Sequence, residues 1–352
     1  LSCADLSKGK TSVRVSLFSF YYDSNPMLQF LLKRLLQAML VMSIISIACF
    51  AIQDSLGDPT REMAANSISS EERELLREEL GLNDSTIVQF GRFIGRAVQG
   101  DLGNSYFFKE PAMTVILKKL PATLELSFAA SILIIVISIP LGVFTAIRPR
   151  HWFSRLTMAI SVIGISIPVF LTAIGLIFIF SVTLGWMPSF GRGETVEMWG
   201  YWSSNFFSGD GLLHIIMPAV ALSSIMLPLF IRLVRAEMLE VLNTEYVKFA
   251  RAKGLSSYKV YMKHALKNTM LPVITVGGVQ IGIMVAYTIL TESVFQWPGM
   301  GFMFLEAVNR SDIPLITAYI MFVGFLFVVV NTLVDLLYGV INPMVDLVGG
   351  NK

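Results

Sequence analysis

Residues able to do chemistry are few in this chain, and they do not converge. Gly9-Lys10-Thr11 has the end of a phosphate-binding loop. Such a loop needs a glycine five residues before Gly9 and a strand leading into it. Ala4 stands at that place and no strand precedes it, so the match reads as chance. No HExxH, GxSxG or GxGxxG occurs. His151, His214 and His264 are far apart and fall in different loops, which argues against a metal centre built from converging ligands. Cys3 and Cys49 give neither a disulfide framework nor a metal spacing. The remaining candidates are polar residues inside or beside apolar stretches. Gln280 has Gly277, Gly278 and Gly282 close by, and Asn331 and Asp335 are four apart on one helical face. Amides such as Gln280 and Asn331 could bind peptide groups along a pathway, or serve as hydrogen-bond glue between closely packed helices. An ion-coupled carrier expects ionisable groups near the middle of the bilayer. Only Glu125, Glu292 and Asp335 come near, all toward the ends of apolar stretches, and this weakens the ion-coupled reading.

The elements that must position these residues are membrane helices. The chain has 352 residues, of which 54% are hydrophobic and 15% charged. A soluble domain carries about a quarter charged residues. The apolar residues come in blocks near the roughly 20 residues that a spanning helix needs. Six spans can be drawn, at about 35–52, 122–147, 156–184, 213–231, 270–291 and 313–334. Each is expected to be helical, because a helix satisfies its backbone internally, as lipid demands. Pro140, Pro168, Pro218 and Pro228 are expected to kink them. The net charge is only +2, so no global basic field points to nucleic acid. The distribution of charge is informative. Lys33 and Arg34, then Arg148, Arg150 and Arg155, then Arg232, Arg235 and the lysines after them fall on one side. Segments 182–212 and 292–314 are acidic on balance and fall on the other. The positive side is the cytoplasmic one, so both termini are expected in the cytoplasm.

Residues 1–26 are polar and Ser-rich and read as a tail or an upstream extension. The first transmembrane helix is expected over 27–53, an extracytoplasmic helical segment over 54–120, a transmembrane core over 121–345 and a C-terminal tail over 346–352. Within 54–120, Ser69–Gly81 has the capping serine, first-turn acids and terminal glycine of a helix. Gln89–Val98 is a second short amphipathic stretch, and Gly100-Asp101-Leu102-Gly103 is a turn. Together they are expected to form a lid over the mouth of the bundle.

The loop 239–269 is the most informative part of the chain. Before Gly254, Glu245–Lys253 reads as a helix whose Ala250 and Ala252 allow close packing. Gly254 supplies a sharp break. After it, Ser256 or Ser257 can cap a short helix running through Val260 to Ala265. That helix is expected to stand out from the membrane, with Leu255, Val260 and Tyr261 available to a partner. About thirty residues with this much structure exceed a mere connector. The competing reading is a basic amphipathic loop resting on anionic lipid.

Glu245-Tyr246-Val247, Ala250-Arg251-Ala252-Lys253-Gly254-Leu255, His264-Ala265-Leu266-Lys267-Asn268 and Leu271-Pro272, in this order, resemble the EAA loop of ABC importer permeases. The version is that of the peptide/nickel permease family, and the resemblance runs from about Met27 to Val345. Further pieces are Gly57-Asp58-Pro59, Glu79-Leu80-Gly81-Leu82, Gly100-Asp101-Leu102-Gly103 with Ser105, Pro121–Leu126, Trp297-Pro298-Gly299-Met300-Gly301, and Asn331, Asp335, Tyr338 and Asn342-Pro343. Leu56, where proline is usual, and Ser311 and Ile313 around Asp312 depart from the pattern. These departures read as surface-loop positions.

The resemblance implies a type I ABC importer permease fold: all-α, about six transmembrane helices, with a helical insertion after the first span as in the B-type chain. It implies a non-catalytic transport subunit in a bacterial inner membrane, surrounded by lipid. A second homologous permease would pair with it. Two cytoplasmic ATPase chains would hold ATP and Mg, this chain binding no cofactor, and an extracytoplasmic solute-binding protein would deliver a di- or oligopeptide. The 54–120 segment would lie where that binding protein docks. The helix at about 254–264 would couple to the ATPase, making Glu245, Tyr246, Ala250, Arg251, Ala252, Lys253, Gly254, Leu255, Ser256, Val260, Tyr261 and His264 the docking residues. Nickel complexes, glutathione or antimicrobial peptides are alternative cargoes within the same architecture. An ion-coupled carrier or membrane enzyme acting alone is the rival of a different class.

Overall fold

In the computed structural model, residues 26–55, 84–200 and 202–341 are described. The helix expected at Ser69–Gly81, the tail before residue 26 and the motif at Asn342-Pro343 lie outside them.

Helix α1 is Pro26–Ser55, and α2, Thr86–Val98, follows the undescribed stretch. Helix α3 runs over Ala112–Ile147, and α4 over Trp152–Ser166. After a break, α5, Val169–Leu176, continues as a π-helical segment, Ile177–Thr183. A two-stranded antiparallel hairpin, β1 Val196–Trp199 and β2 Trp202–Ser204, precedes α6, Gly209–Leu242. Helix α7 is Glu245–Ala252, and α8 is the single turn Ser257–Lys259. A π-helical segment, Val260–Ala265, runs from α8 into α9, Leu266–Phe295. Helices α10, Met300–Asn309, and α11, Ile313–Ile341, complete the described chain.

The described residues hold four helices long and apolar enough to cross a membrane, and six spans if each of two bent pairs counts as one. The expected third span is one of these pairs. It is bent by 109° at Ile167-Pro168, between Ser166 and Val169, so Pro168 breaks the helix rather than kinking it. A proline offers no N–H for the helix to continue through, and it disfavours the helical conformation of the residue before it. Ile167 is accordingly extended, with ψ 119°. Pro140, Pro218 and Pro228 stay inside continuous helices.

The second span starts ten residues earlier than expected, inside the stretch assigned to the extracytoplasmic segment. At 36 residues, α3 is about 54 Å long, against a hydrocarbon core of about 30 Å, so its ends stand clear of it. The inner core lies between α3 and α6. Leu126, Ala130 and Ile134 meet Leu222, Met226 and Val234, joined by Val273 and Met284 of α9. Val234 presses so closely on α3 that a Cβ on Gly142 would lie 2.6 Å from it. On α9, Gly278 and Gly282 face Val334 and Phe327 of α11, which is the close packing expected of these small residues.

Candidate functional site

Helix α7 ends where Gly254 adopts φ +76°, the left-handed conformation that L-residues with a Cβ avoid. Its N–H donates to the Arg251 carbonyl at 2.9 Å, and the Leu255 N–H to that of Ala250. The chain therefore turns sharply between Ala252 and Ser257. Ser256 takes the N-cap position of α8, without a side-chain capping bond. The turn lays the start of the π-helical segment, at Val260, on α7. Val247 and Val260, both wholly buried, and Ala250 form a small core bordered by Val241, Leu242, Leu255 and Tyr261. The Arg251 guanidinium stands 5.9 Å from the Tyr261 ring, and the Asn268 amide donates to the Tyr246 hydroxyl at 2.8 Å.

This corrects the expectation for the outward face. Val260 is 0% exposed, and Leu255 and Tyr261 are half-buried. Tyr258, at 73% exposure, and Met262, one turn on, face outward instead, together with Phe249 of α7. The physical reason is burial of the most apolar side of the short helix against α7. The spacing puts Tyr258 and Met262, four apart, on the face opposite Val260, but does not by itself say which face is buried. Of the two alanines, Ala250 is buried and Ala252 exposed, so close packing rests on Ala250 alone. Glu245, Arg251, Lys253 and Ser256 are exposed and His264 is half-buried. A second correction concerns continuity. The segment after Gly254 is not a separate helix through Ala265, since Ser257–Gln280 runs on without a break before bending by 51° into Gly282–Phe295.

A cavity of about 390 Å³ lies where α3, α6, α9 and α11 meet. Its walls are chiefly apolar, among them Ile134, Met226, Phe230, Val273 and Met284, with Ser131, Ser138 and Gln280 as polar points. Gln280, expected as a pathway residue, lines this cavity. Asn331 does not: its amide donates to the Phe327 carbonyl of its own helix at 2.9 Å, and α11 reaches the cavity through Val334.

Three carboxylates fix the far end of the bundle, and sequence reasoning missed their roles. Glu292 is wholly buried and accepts from the Thr123 hydroxyl at 2.6 Å and from the backbone N–H groups of Gly301 and Phe302. Thr123 in turn accepts from Met300 N–H, and Trp297 Nε1 donates to the Ala122 carbonyl. This joins α3, α9 and α10, and a Cβ on Gly301 would lie 2.7 Å from Ile289 Cα. Glu125 pairs with Arg192 at 2.6 Å, and Arg192 also donates to the Ser203 carbonyl, tying the hairpin to α3. Asp312 is 1% exposed and accepts from the Ser105 hydroxyl and from Tyr106 and Phe107 N–H. Ile313 beside it is 3% exposed and is therefore not the surface-loop position expected. The turn at 100–103 holds as expected, with Gly103 N–H donating to Asp101 Oδ1. No group of three or more potential metal-ligating side chains occurs among the described residues.

Residues 138–347 match the family described as binding-protein-dependent transport system inner membrane component, and residues 27–127 match the N-terminal portion of such membrane components. The chain is 37% identical to a dipeptide transport system permease protein of Alkalihalophilus pseudofirmus, over 88% of this chain and 97% of the relative. It is 35% identical to a glutathione transport system permease protein of Escherichia coli, over 88% and 96%. A solved structure of a methionine ABC transporter in inward-facing conformations is similar at a TM-score of 0.49, with 18% identity, over 65% of this chain and 97% of that one. The chain belongs to the family of binding-protein-dependent transport system inner membrane components. It is a multi-pass inner membrane protein and a transport permease subunit.

Proposed function

We propose that this chain is the permease subunit of an ATP-driven importer of di- or oligopeptides, energised by separate ATPase chains that grip the loop around Gly254. The observation that carries the reading is the elbow itself. Helix α7 is locked to the Val260 segment by a buried core, and that segment continues into α9. A push on Tyr258 is therefore delivered to Met270, Val273, Ile274 and Gln280, which line the cavity. Rigid-body transmission of this kind can convert ATPase closure into a change of access. Tyr258, Met262 and Phe249 supply the exposed apolar and aromatic anchors that hot spots of stable interfaces use. The peptide cargo is supported by the relative named for dipeptides.

In this reading the basic side faces the cytoplasm and holds both termini. ATP and Mg belong to the ATPase partners. A second permease chain completes the pathway, and a solute-binding protein docks on the opposite side. Glutathione is the second cargo reading, favoured by the Escherichia coli relative. It is itself a small peptide, so the amide-binding chemistry available at Gln280 suits both.

Ala252→Trp tests the docking claim, because Ala252 is exposed and the change adds bulk without entering the small core. Peptide uptake is expected to fall on the order of ten-fold with the chain still in the membrane, as for loss of one hot-spot contact. Unchanged uptake together with normal substrate-stimulated ATP hydrolysis would sink it.

A further inference from the structure

We infer that the turn between α3 and α4 binds an anionic phospholipid, its phosphate held by Arg150 and Arg155 and its acyl chain lying along Leu156, Ile160 and Ile163. This goes beyond the transport reading and holds for any cargo.

The turn is built rather than loose. His151 N–H donates to the Arg148 carbonyl at 3.1 Å, and the Ser154 hydroxyl donates to the same carbonyl at 2.7 Å. His151 Nδ1 accepts from Phe153 N–H. The His151 and Phe153 rings each pack edge-on against Phe144, with centroids 5.6 Å apart. Arg148 is engaged over the Phe144 ring at 5.9 Å. Arg150 and Arg155 are exposed, and no carboxylate pairs with either among the described residues.

Helix α4 has two distinct faces. Ser154, Thr157 and Ser161 are buried, and Gly164 approaches Pro228 of α6. The opposite face is exposed throughout: Trp152 at 68%, Leu156 at 45%, Ile160 at 58% and Ile163 at 60%. Arg155 lies beside Trp152 on that side, one turn on. An aliphatic stripe that ends in an indole and two guanidinium groups, without a carboxylate partner among the described residues, matches one ligand in charge and shape. Guanidinium forks bind phosphate oxygens in pairs, and tryptophan prefers the headgroup level. Zwitterionic lipid would satisfy the stripe but leave the net positive charge uncompensated. A second protein chain would cover the stripe.

The test uses the whole transporter assembly reconstituted in phosphatidylcholine bilayers that contain either brominated phosphatidylglycerol or brominated phosphatidylcholine. Quenching of Trp152 is read as the difference between the parent and Trp152→Phe. Phosphatidylglycerol is expected to quench more strongly at equal mole fraction. Arg150→Ala with Arg155→Ala is expected to lower its apparent affinity about 30-fold, roughly five-fold per arginine. Arg150→Lys with Arg155→Lys keeps the charge that sets topology and is expected to lose only part of the preference. Equal quenching by the two lipids would overturn the proposal, as would a preference that survives neutralising both arginines. Absence of any Trp152 signal would show a protein chain on this face instead. Abolition of the preference by millimolar glycerol phosphate would show a free-phosphate site rather than a lipid site.

Discussion

Glu125 and Arg192 form an ion pair whose side chains are 3% and 9% exposed, with Arg192 also stacked near the Trp297 ring. Removing one partner of such a pair strands a buried charge, at a cost of about 3–5 kcal/mol. Arg192→Ala is therefore expected to lower the thermal midpoint of the purified protein and to expose the 196–204 hairpin to protease. Replacing both residues by apolar ones of similar volume should cost much less; equal damage from the single and double changes would show that the pairing is unimportant. Gly254 gives a contrasting case, because a Cβ there meets nothing within 4 Å. Any penalty comes from its φ of +76° alone, about 1–2 kcal/mol for an L-residue. Gly254→Ala should thus weaken coupling of ATP hydrolysis to uptake, and Gly254→Asn should weaken it less, since asparagine tolerates this conformation. At this scale the glycine was legible in the sequence and the carboxylates were not. Glu292 and Asp312 find Thr123 and Ser105 at separations of 169 and 207 residues, and neither pairing leaves a local pattern.

Helices were legible where the pattern was long. The spans at α1, α3, α6, α9 and α11 follow from blocks of apolar residues, although α3 and α6 extend well past the stretches assigned. The hairpin was missed, even though Val196, Trp199 and Trp202 favour strands and Gly200 favours a turn. Its residues were read only for their charge. The phase of the short segment after Gly254 was also misread. Two turns of helix do not establish which side faces in until the partner helix is placed, and α7 takes Val260. This separates two substitutions. Tyr258→Ala is expected to leave the protein folded and membrane-inserted while reducing ATPase-coupled uptake. Val260→Asp is expected to open the core with Val247 and Ala250, read as protease cleavage within 239–269. If Tyr258→Ala transports normally while Val260→Asp alone fails, the outward face is not the docking face.

Across the whole molecule, the elbow, α9 and the cavity form one connected path, and the carboxylate junctions hold the opposite end of the bundle. Gln280 is the polar side chain that α9 brings to that cavity. Gln280→Leu is expected to reduce peptide uptake without changing assembly, measured as uptake per copy of the complex. The helical membrane architecture and the loop were readable in the sequence, because lipid imposes long apolar blocks and the loop is contiguous; whether the pair bent by 109° counts as one span was not. The cavity was not, since it is assembled from four helices whose rotations only packing decides. The most direct measurement places a photo-crosslinking residue at position 258 in one strain and at position 260 in another, followed by purification from membranes. Crosslinking of an ATPase chain from 258 and not from 260 is the predicted result. Crosslinking only to lipid from 258, together with peptide transport by this chain in vesicles that contain no ATPase, would contradict the account.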